Sequence, residues 1–269
     1  MPYFPQLNSR GLMVQRPNAS SPSFCTTMVE QDVGPRYGWS WRDTPLGAWD
    51  LTYSSITEAE AAVLEGFFAS MDGRYGDFTF LDPNGNLLQY SEDFTVSAWE
   101  KDDTTPGAAV ADPFGGAAAT AVAGGSNGML VASVLPGGNG SGLVLCVSAW
   151  VNPSAAGPLS IGMIDAGFAV IGSTSFDLPA GQWTRIYHSM TLATNSAIRV
   201  LIGGFASWAG RTIAVFGAQA APTPGPGAYR KSPLNYGLHA KCRFDQDRID
   251  IRHIGPGECS TQLRIVETN

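Results

Sequence analysis

The stretch MLVASVLPGGNGSGLVLCVSAWV, residues 129–151, decides the fold class of this chain. Two apolar runs, 129–135 and 143–151, flank a spacer that contains one Pro and four Gly. Short apolar runs bounded by turn-forming residues are typical of β-strands, because Gly and Pro supply the backbone angles that turns need. The stretch therefore predicts two β-strands with a turn between them.

Four more runs of the same kind follow along the chain, at 168–172, 183–190, 197–205 and 212–220. Six short strands at this spacing indicate a β-sandwich, and no helical pattern fits the region. Residues 91–228 also carry 21 of the 32 Gly and only four basic residues. This change of composition predicts a separate domain over 89–228, which ends in the Pro/Gly linker 221–228.

One helix is predicted before the sandwich. Thr57 and Glu60 have the spacing of a capping box, in which each side chain accepts a hydrogen bond from the other residue's backbone N–H. An apolar stripe at helical spacing follows, formed by Val63, Leu64, Phe67, Phe68 and Met71. Gly73 is expected to end the helix.

An aromatic hairpin is predicted just before this helix, from the runs 36–43 and 48–53. The aromatic residues that alternate along the two runs are Tyr37, Trp39, Trp41, Trp49 and Tyr53. Residues 44–47, Thr-Pro-Leu-Gly, have the composition of a turn between the runs. The five rings are expected in one hydrophobic core; the alternative is a subunit interface, where Trp and Tyr are enriched.

The two ends of the chain are predicted to form one domain around the insert. Further strands are expected at 238–244, 248–254 and 260–268. Residues 1–90 carry ten acidic and five basic side chains, whereas 229–269 carry five acidic and seven basic ones, so the ends partly complement each other in charge. The predicted fold is mainly β: a split β-barrel-type domain with one α-helix, over 1–88 and 229–269, interrupted by a β-sandwich.

Composition and charge exclude several classes of function. The net charge of −7 offers no basic stripe for nucleic-acid phosphates. The sequence contains no run of about 18 apolar residues, the length that a membrane-spanning helix needs. The start of the chain lacks the layout of a signal peptide. The Cys and His residues have no zinc-ligand spacing, so no metal or other cofactor is expected, and the four Cys are expected to be free buried thiols.

The two flanks resemble the distal-tail and minor-tail protein family of long-tailed bacteriophages. The resemblance is carried by Trp49, Leu51, Tyr53, Leu64, Phe67, Phe68, Gly73, Arg74, Phe78, Phe80, Asp82, Pro83, Gly85 and the closing stretch 243–267. It implies a split barrel that forms a ring of six subunits at the tail tip. The implied partners are other copies of the chain, the tail tube and the tail hub proteins; the protein would be made in the host cytoplasm and reside in the virion.

The middle resembles carbohydrate-binding modules of the jelly-roll type, which phages insert into tail proteins. The matching stretches are LLQYSEDFTVSAW at 87–99, ADPFGG at 111–116, SAWV at 148–151, GQWTR at 181–185 and VFGAQ at 215–219. The resemblance implies that the insert projects outward and either binds a host cell-surface glycan or packs against other virion parts. Such modules stack aromatic rings on the faces of sugar rings, while neighbouring polar side chains fix the orientation.

Trp208 is the leading carbohydrate-binding residue, because it lies in the Gly-flanked, turn-rich segment GGFASWAG at 203–210. Phe205, Trp183 and Arg185 are the supporting candidates. Packing in the sandwich is the alternative for Trp208 and Trp183. Trp150 lies in an apolar run, so it is expected in the core, and Trp99 is expected there as well.

No catalytic set is predicted. Glu92 with Asp93, and Asp102 with Asp103, are sequence neighbours, and neighbouring side chains on a strand point to opposite faces. They therefore do not supply two facing carboxyl groups about 5–10 Å apart, as a glycosidase needs. Solvated loop acids are the expected reading; a calcium site that uses Asp102, Asp103 or Asp112 is the alternative.

Three classes of function remain open at this stage. The first is a structural, non-enzymatic virion protein of the tail tip whose insert binds glycan. The second is a lectin or adhesin that is not part of a ring, and the third is a glycan-degrading enzyme. The order of the motifs along the flanks favours the first.

Overall fold

The computed structural model describes residues 1–7, 18–29, 37–40, 45–138, 140–204, 208, 210–233 and 237–268. Within these ranges the strands are β1 (Asn18–Ser23), β2 (Thr26–Val29), β3 (Tyr37–Ser40), β4 (Leu46–Thr57), β5 (Phe78–Leu81), β6 (Trp99–Val110), β7 (Ala119–Leu135), β8 (Val144–Pro153), β9 (Gly157–Asp165), β10 (Val170–Leu178), β11 (Thr184–Thr191), β12 (Ile198–Gly203), β13 (Thr212–Ala221), β14 (Leu238–Phe244), β15 (Arg252–Gly255) and β16 (Glu258–Glu267). The helix is α1 (Glu58–Ser70). The predicted fold class, mainly β with one helix and a β-sandwich, is confirmed.

The chain divides into two compact units. The sandwich unit comprises Met1–Tyr3 and Leu81–Leu238, and the flanking unit comprises Phe4–Phe80 and His239–Asn269. The predicted insert, 89–228, lies within the sandwich unit.

The sandwich unit is built from antiparallel strands in the order β10-β9-β12-β7-β13-β8-β11, with β6 also paired to β7. The long strand β7 pairs with β12 near its end, where Val131 lies opposite Leu201, and with β13 near its start, where Thr120 lies opposite Val215. This strand therefore belongs to both layers of the sandwich. Between the layers lies an aliphatic core that receives alternate side chains of each strand.

The sandwich unit extends beyond 89–228 on both sides because the adjoining segments are hydrogen-bonded into it. The buried amide of Asn86 donates to the carbonyl oxygens of Ala218 and Arg230, each at 3.0 Å. Its own oxygen accepts the backbone N–H of Ala220 at 3.1 Å. One buried side chain thus ties the incoming and outgoing segments to β13, and no part of its amide is left unsatisfied.

The flanking unit joins strands from both ends of the chain in one sheet, in the order β1-β4-β16-β14-β5, with β15 paired to β16. Strand β4 lies beside β16, with Leu51 opposite Leu263 and Trp49 opposite Ile265. The core of this unit is largely aromatic: the ring of Phe244 lies 4.9 Å from the rings of both Phe68 and Phe78.

The predicted aromatic hairpin is wrong. Strand β3 pairs with β2, and β4 pairs with β1 and β16, so the two runs do not pair with each other. Trp49 and Tyr53 are buried in the core as predicted, but Trp39 is 56% exposed. Trp41, Thr44 of the predicted turn 44–47 and the side chain of Tyr37 lie outside the described residues, whereas Leu46 and Gly47 of that turn belong to β4. Alternation identified the strands but could not identify their partners, because β16 lies about two hundred residues further along the chain.

The helix begins where the capping box predicts. The hydroxyl of Thr57 accepts the backbone N–H of Glu60 at 3.2 Å, and the carboxylate of Glu60 accepts the backbone N–H of Thr57 at 2.9 Å. Leu64 and Phe68 of the predicted stripe are buried, whereas Val63 is exposed. Ala61 takes the inward position instead, because it lies three residues before Leu64 on the buried side of the helix.

All four Cys are free thiols, as predicted. Cys146, Cys242 and Cys259 are buried, but Cys25 is exposed, so the prediction of burial is wrong at that position. Cys25 lies between β1 and β2, in a segment whose described side chains face solvent. Among the described residues, no helix is long and apolar enough to cross a membrane.

Deleting Leu81–Leu238 and joining Phe80 to His239 through a short Gly/Ser linker should leave a folded flanking unit. The physical reason is that β5 and β14, which the linker would connect, are neighbours in one sheet, and hairpin connections tolerate such changes. Cooperative thermal unfolding, followed by circular dichroism, is the expected result. A broad, non-cooperative transition would contradict the division of the chain into a split domain and an insert.

Candidate functional site

Trp208 is buried in the sandwich, so the prediction that it forms an exposed loop platform is wrong. Its side chain is 0% exposed, and its indole N–H donates to the carbonyl oxygen of Val122 at 3.1 Å. Trp208 belongs to the aliphatic core of the sandwich unit. The surroundings of Trp208 support the alternative prediction, in which its side chain packs in the sandwich.

The glycines near Trp208 explain why its sequence context was misleading. A Cβ atom at Gly124 would lie 2.3 Å from Cδ1 of the indole, and one at Gly203 would lie 2.5 Å from Cζ3. No real side chain fits at such distances, so the missing side chains of these glycines create the space that the ring fills. At Gly124 and Gly203 the glycines therefore mark close packing around the indole.

Replacing Trp208 with Ala should lower the free energy of unfolding of the sandwich unit by about 3–5 kcal/mol, the usual cost of removing a buried aromatic ring. The expected readout is a clear fall in melting temperature, measured by calorimetry on the full chain. An exposed control ring, Tyr75 of the flanking unit, should tolerate the same change, because 79% of its surface faces solvent. Equal melting temperatures for the two variants would contradict the structural role of Trp208.

The other three predicted site residues have different outcomes. Phe205 lies outside the described residues. Trp183 is half-buried and directly precedes β11, and Arg185 lies two residues further on that strand. Since strand side chains alternate, Trp183 and Arg185 belong to the same face of the sheet.

This face, the outer side of β8, β11 and β13, carries a cluster of aromatic rings. We call it the aromatic face; its residues are Phe114, Trp150, Arg185, Phe216 and Tyr229. Trp150 lies directly opposite both Arg185 and Phe216 in the strand pairing. The ring of Phe114 lies 5.6 Å from Trp150 and 5.8 Å from Phe216, and the ring of Tyr229 lies 5.3 Å from Phe216. Phe114 is 65% exposed, so the cluster reaches solvent.

The prediction that Trp150 belongs to the core is wrong. On β8 the core side chains are Val147, Ala149 and Val151. Ser148 and Trp150 alternate with them and therefore point away from the core. The polar side chains of Ser148 and Asn152 on either side of Trp150 are the sequence signal that could have assigned it to the outer face.

Two hydrogen-bond donors of the aromatic face have no acceptor among the described residues. Nε1 of Trp150 and Nε of Arg185 are both buried, and both are unpartnered there. The guanidinium of Arg185 lies over the ring of Trp150, with Cζ 5.9 Å from the ring centre. Burial lowers the pKa of this guanidinium, but arginine remains charged in proteins. Leaving buried donors unpaired costs free energy, so an acceptor that reached either atom would be bound favourably.

The predicted linker, 221–228, is not a free connection, because it lies along the aromatic face. Arg185 donates to the carbonyl oxygen of Gly227 at 2.6 Å, and Ser189 donates to that of Pro224 at 2.7 Å. Gln219 donates to the carbonyl oxygen of Ala228 at 3.3 Å. The segment therefore borders the aromatic face. It also holds Arg185 and Ser189 of β11 in fixed positions.

Most of the acidic residues that could have formed a catalytic or calcium site are engaged individually. Glu92 pairs with Lys231 at 2.5 Å and accepts the hydroxyl of Tyr229 at 3.0 Å. Asp103 accepts the backbone N–H of Asn127 at 3.2 Å. In the part of the chain that the structure describes, no three His, Cys, Asp or Glu side chains converge on a possible metal position.

Asp112 uses both carboxylate oxygens to fix its own turn. It accepts backbone N–H groups from Phe114 at 2.8 Å, Gly116 at 3.1 Å and Ala118 at 3.2 Å. The carboxylate thus presents the exposed ring of Phe114 on the aromatic face, a role that sequence alone did not indicate.

A cavity of about 440 Å³ in the flanking unit is lined by Cys259, His253 and Glu58, among other residues. The thiol of Cys259 lies 3.5 Å from Nδ1 of His253, and the carboxylate of Glu58 lies 3.9 Å from the same nitrogen. In a catalytic relay, a histidine contacts the nucleophile through one ring nitrogen and the orienting acid through the other. Here the thiol and the carboxylate both lie nearest to Nδ1 of His253, so this arrangement is not a catalytic relay. Burial also raises the pKa of the Cys259 thiol, which keeps it protonated and unreactive.

No protein-family model matches the chain, and no curated protein matches it. Among solved structures, the chain is similar to the enzymatically active domain of tailspike protein 4 of bacteriophage CBA120, with 11% identity and a TM-score of 0.36, over 53% of this chain and 22% of that one. It is similar to an exo-beta-agarase, with 10% identity and a TM-score of 0.43, over 54% and 25%. It is similar to the CBM22-1 xylan-binding domain of Xyn10C from Paenibacillus barcinonensis, with 13% identity and a TM-score of 0.37, over 54% and 99%.

The chain spans about a quarter or less of the tailspike and agarase structures. Any assignment of an activity to this chain must therefore come from its own residues.

Proposed function

We propose that this chain is a structural, non-enzymatic virion protein of a phage tail tip, and that its sandwich unit binds a host surface glycan on the aromatic face. One observation carries the glycan site: Trp150 and Arg185 each hold a buried, unpartnered donor on the same face. A sugar hydroxyl can accept from such donors, while its ring stacks on an aromatic side chain.

The aromatic face has the parts that such a ligand requires. Phe114 offers an exposed ring for stacking, and its turn is fixed by the three N–H groups that Asp112 accepts. Trp150 and Arg185 provide donors directly beside it. Because the rings and the guanidinium are already packed against each other, little conformational entropy would be lost on binding.

Glycan binding should depend on Phe114 and on Nε1 of Trp150. Phe114→Ala should lower the binding free energy by roughly 1–3 kcal/mol, taking the cost of losing a stacked ring as the guide. Trp150→Phe keeps an aromatic ring but removes the donor, so it should cost about 1 kcal/mol, the net value of a hydrogen bond. The measurement is binding of the full chain to an array of bacterial surface glycans.

Tyr75→Ala provides the control, because it removes an exposed ring from the flanking unit, far from this face in sequence. It should leave glycan binding unchanged. If wild-type protein binds no glycan on the array, or if Tyr75→Ala weakens binding as much as Phe114→Ala, the aromatic face is not a glycan site.

The tail-tip assignment rests on the resemblance of the flanks and is supported by an exposed apolar ribbon. Strands β2 and β3 pair only with each other within the described residues. Phe24, Met28 and Trp39, on or beside this ribbon, are all exposed. Exposed apolar side chains of this size are typical of a surface that another subunit covers. The proposed partners are other copies of the chain, in a ring of six, and the tail tube and tail hub proteins.

The full chain should form a closed ring of six subunits, detectable by native mass spectrometry at low ionic strength. Trp39→Ser should shift the population towards monomer, because it removes an apolar side chain that is 56% exposed in the single chain. Val63→Ser, an exposed apolar position on α1, is the matched control and should leave the ring intact. A wild-type chain that remains monomeric at micromolar concentration would favour a lectin that is not part of a ring.

A further inference from the structure

We propose that the sandwich unit has a second glycan-binding site, centred on Phe168, on the outer side of the layer formed by β6, β7, β9, β10 and β12. This inference rests on the proposed function for the class of ligand, a polysaccharide. The site itself is carried by separate observations, since none of its residues belongs to the aromatic face.

Phe168 is an exposed ring in a strained backbone position. It lies in the turn between β9 and β10, is 51% exposed, and has a φ of 64°. A non-Gly residue in this left-handed region is uncommon, and for a bulky side chain it is unfavourable. Observed strain of this kind at an exposed side chain is a reason to look for a function.

The turn is held in place by the carboxylate of Asp165. Its Oδ1 accepts the backbone N–H of Gly167 at 2.8 Å and that of Ala169 at 2.9 Å. The backbone N–H of Asp165 also donates to the carbonyl oxygen of Ala169 at 3.0 Å. These three bonds surround Phe168 on both sides, so its left-handed conformation is fixed before any ligand arrives.

The ring of Phe168 rests on a guanidinium. Cζ of Arg199 lies 4.6 Å from the ring centre, and Arg199 forms an ion pair with Glu100. The Arg199 side chain is only 13% exposed, so it is buried beneath the ring and the carboxylate. One face of the ring is therefore occupied by the guanidinium, and the exposed area belongs to the opposite face and the edge.

The surroundings of the free ring face suit a sugar. Glu100 is 58% exposed and offers carboxylate oxygens that can accept sugar hydroxyls. Asp102 lies two residues further on β6, on the same side of the sheet, and is exposed as well. A flat apolar ring beside acceptors complements the apolar face and hydroxyl rim of a pyranose.

Two sites on opposite sides of one sandwich would let a single chain hold two polysaccharide strands. Binding to a repeating polymer at a cell surface would then be strengthened by effective concentration, without new contacts at either site. Weak individual sites would suffice for adhesion.

Phe168→Gly is the sharpest test, because Gly adopts this φ without steric strain. The variant removes the ring, and its melting temperature should match or exceed that of wild type. The measurement is affinity electrophoresis of the full chain in gels that contain xylan, galactan, alginate or a bacterial O-polysaccharide. Phe168→Gly should weaken the affinity for the retarding polysaccharide by about fivefold to about a hundredfold, the range for loss of one stacked ring.

Two further variants complete the design. Phe168→Tyr keeps a ring and should be retarded like wild type, and Val170→Ala changes an exposed apolar neighbour on the same hairpin and should also be retarded like wild type. Phe114→Ala with Phe168→Gly should abolish retardation, whereas either change alone should leave part of it.

The outcomes separate this inference from the proposed function. If Phe168→Gly is retarded like wild type while Phe114→Ala is not, the second site is wrong and the aromatic face stands. If Phe168→Gly melts lower but binds normally, Phe168 is a packing residue and the second site is wrong. If wild type is retarded by none of the polysaccharides, the proposed ligand class fails, and the second site fails with it.

Discussion

Alternation of side chains along β8 places Val147, Ala149 and Val151 in the sandwich core and turns Trp150 to the opposite side. The strand pairs with β11 on one side and β13 on the other, so this single register aligns Arg185 and Phe216 with Trp150. A shift by one residue would bury Arg185 and expose the aliphatic core. The core and the proposed binding face are thus fixed by the same constraint, and neither could change without the other.

Glycine has two separate physical roles in the sandwich unit. At Gly124 and Gly203 the absence of a side chain makes room for the indole of Trp208, so sheet and ring approach closely. Elsewhere the glycines bound turns, as at Gly142, whose φ is 89°. The first role produces a dense interior, the second a surface with short connections. Both roles give a segment the same high glycine content. Glycine content alone therefore cannot distinguish a buried tryptophan from an exposed one.

Exposed aromatic rings in this unit are held by polar groups beneath them. Asp112 fixes the turn that carries Phe114, and Asp165 fixes the turn that carries Phe168. Guanidinium groups lie against Trp150 and Phe168. Asp112, which the sequence analysis considered as a possible calcium ligand, is one of the carboxylates that position such a ring. Preorganisation of this kind lowers the entropy lost when a ligand binds.

The sequence by itself determined the mainly β class, the helix with its capping box, and most strands of the sandwich, because each of these depends on local periodicity or on residues three or four apart. Tertiary structure alone decided which strands pair, since β4 finds β16 and not β3. It alone decided that Trp208 is buried and Trp150 turned outward, and that 221–228 borders the aromatic face. Those outcomes depend on contacts between distant residues, and local patterns carry no information about which distant residue will be the neighbour.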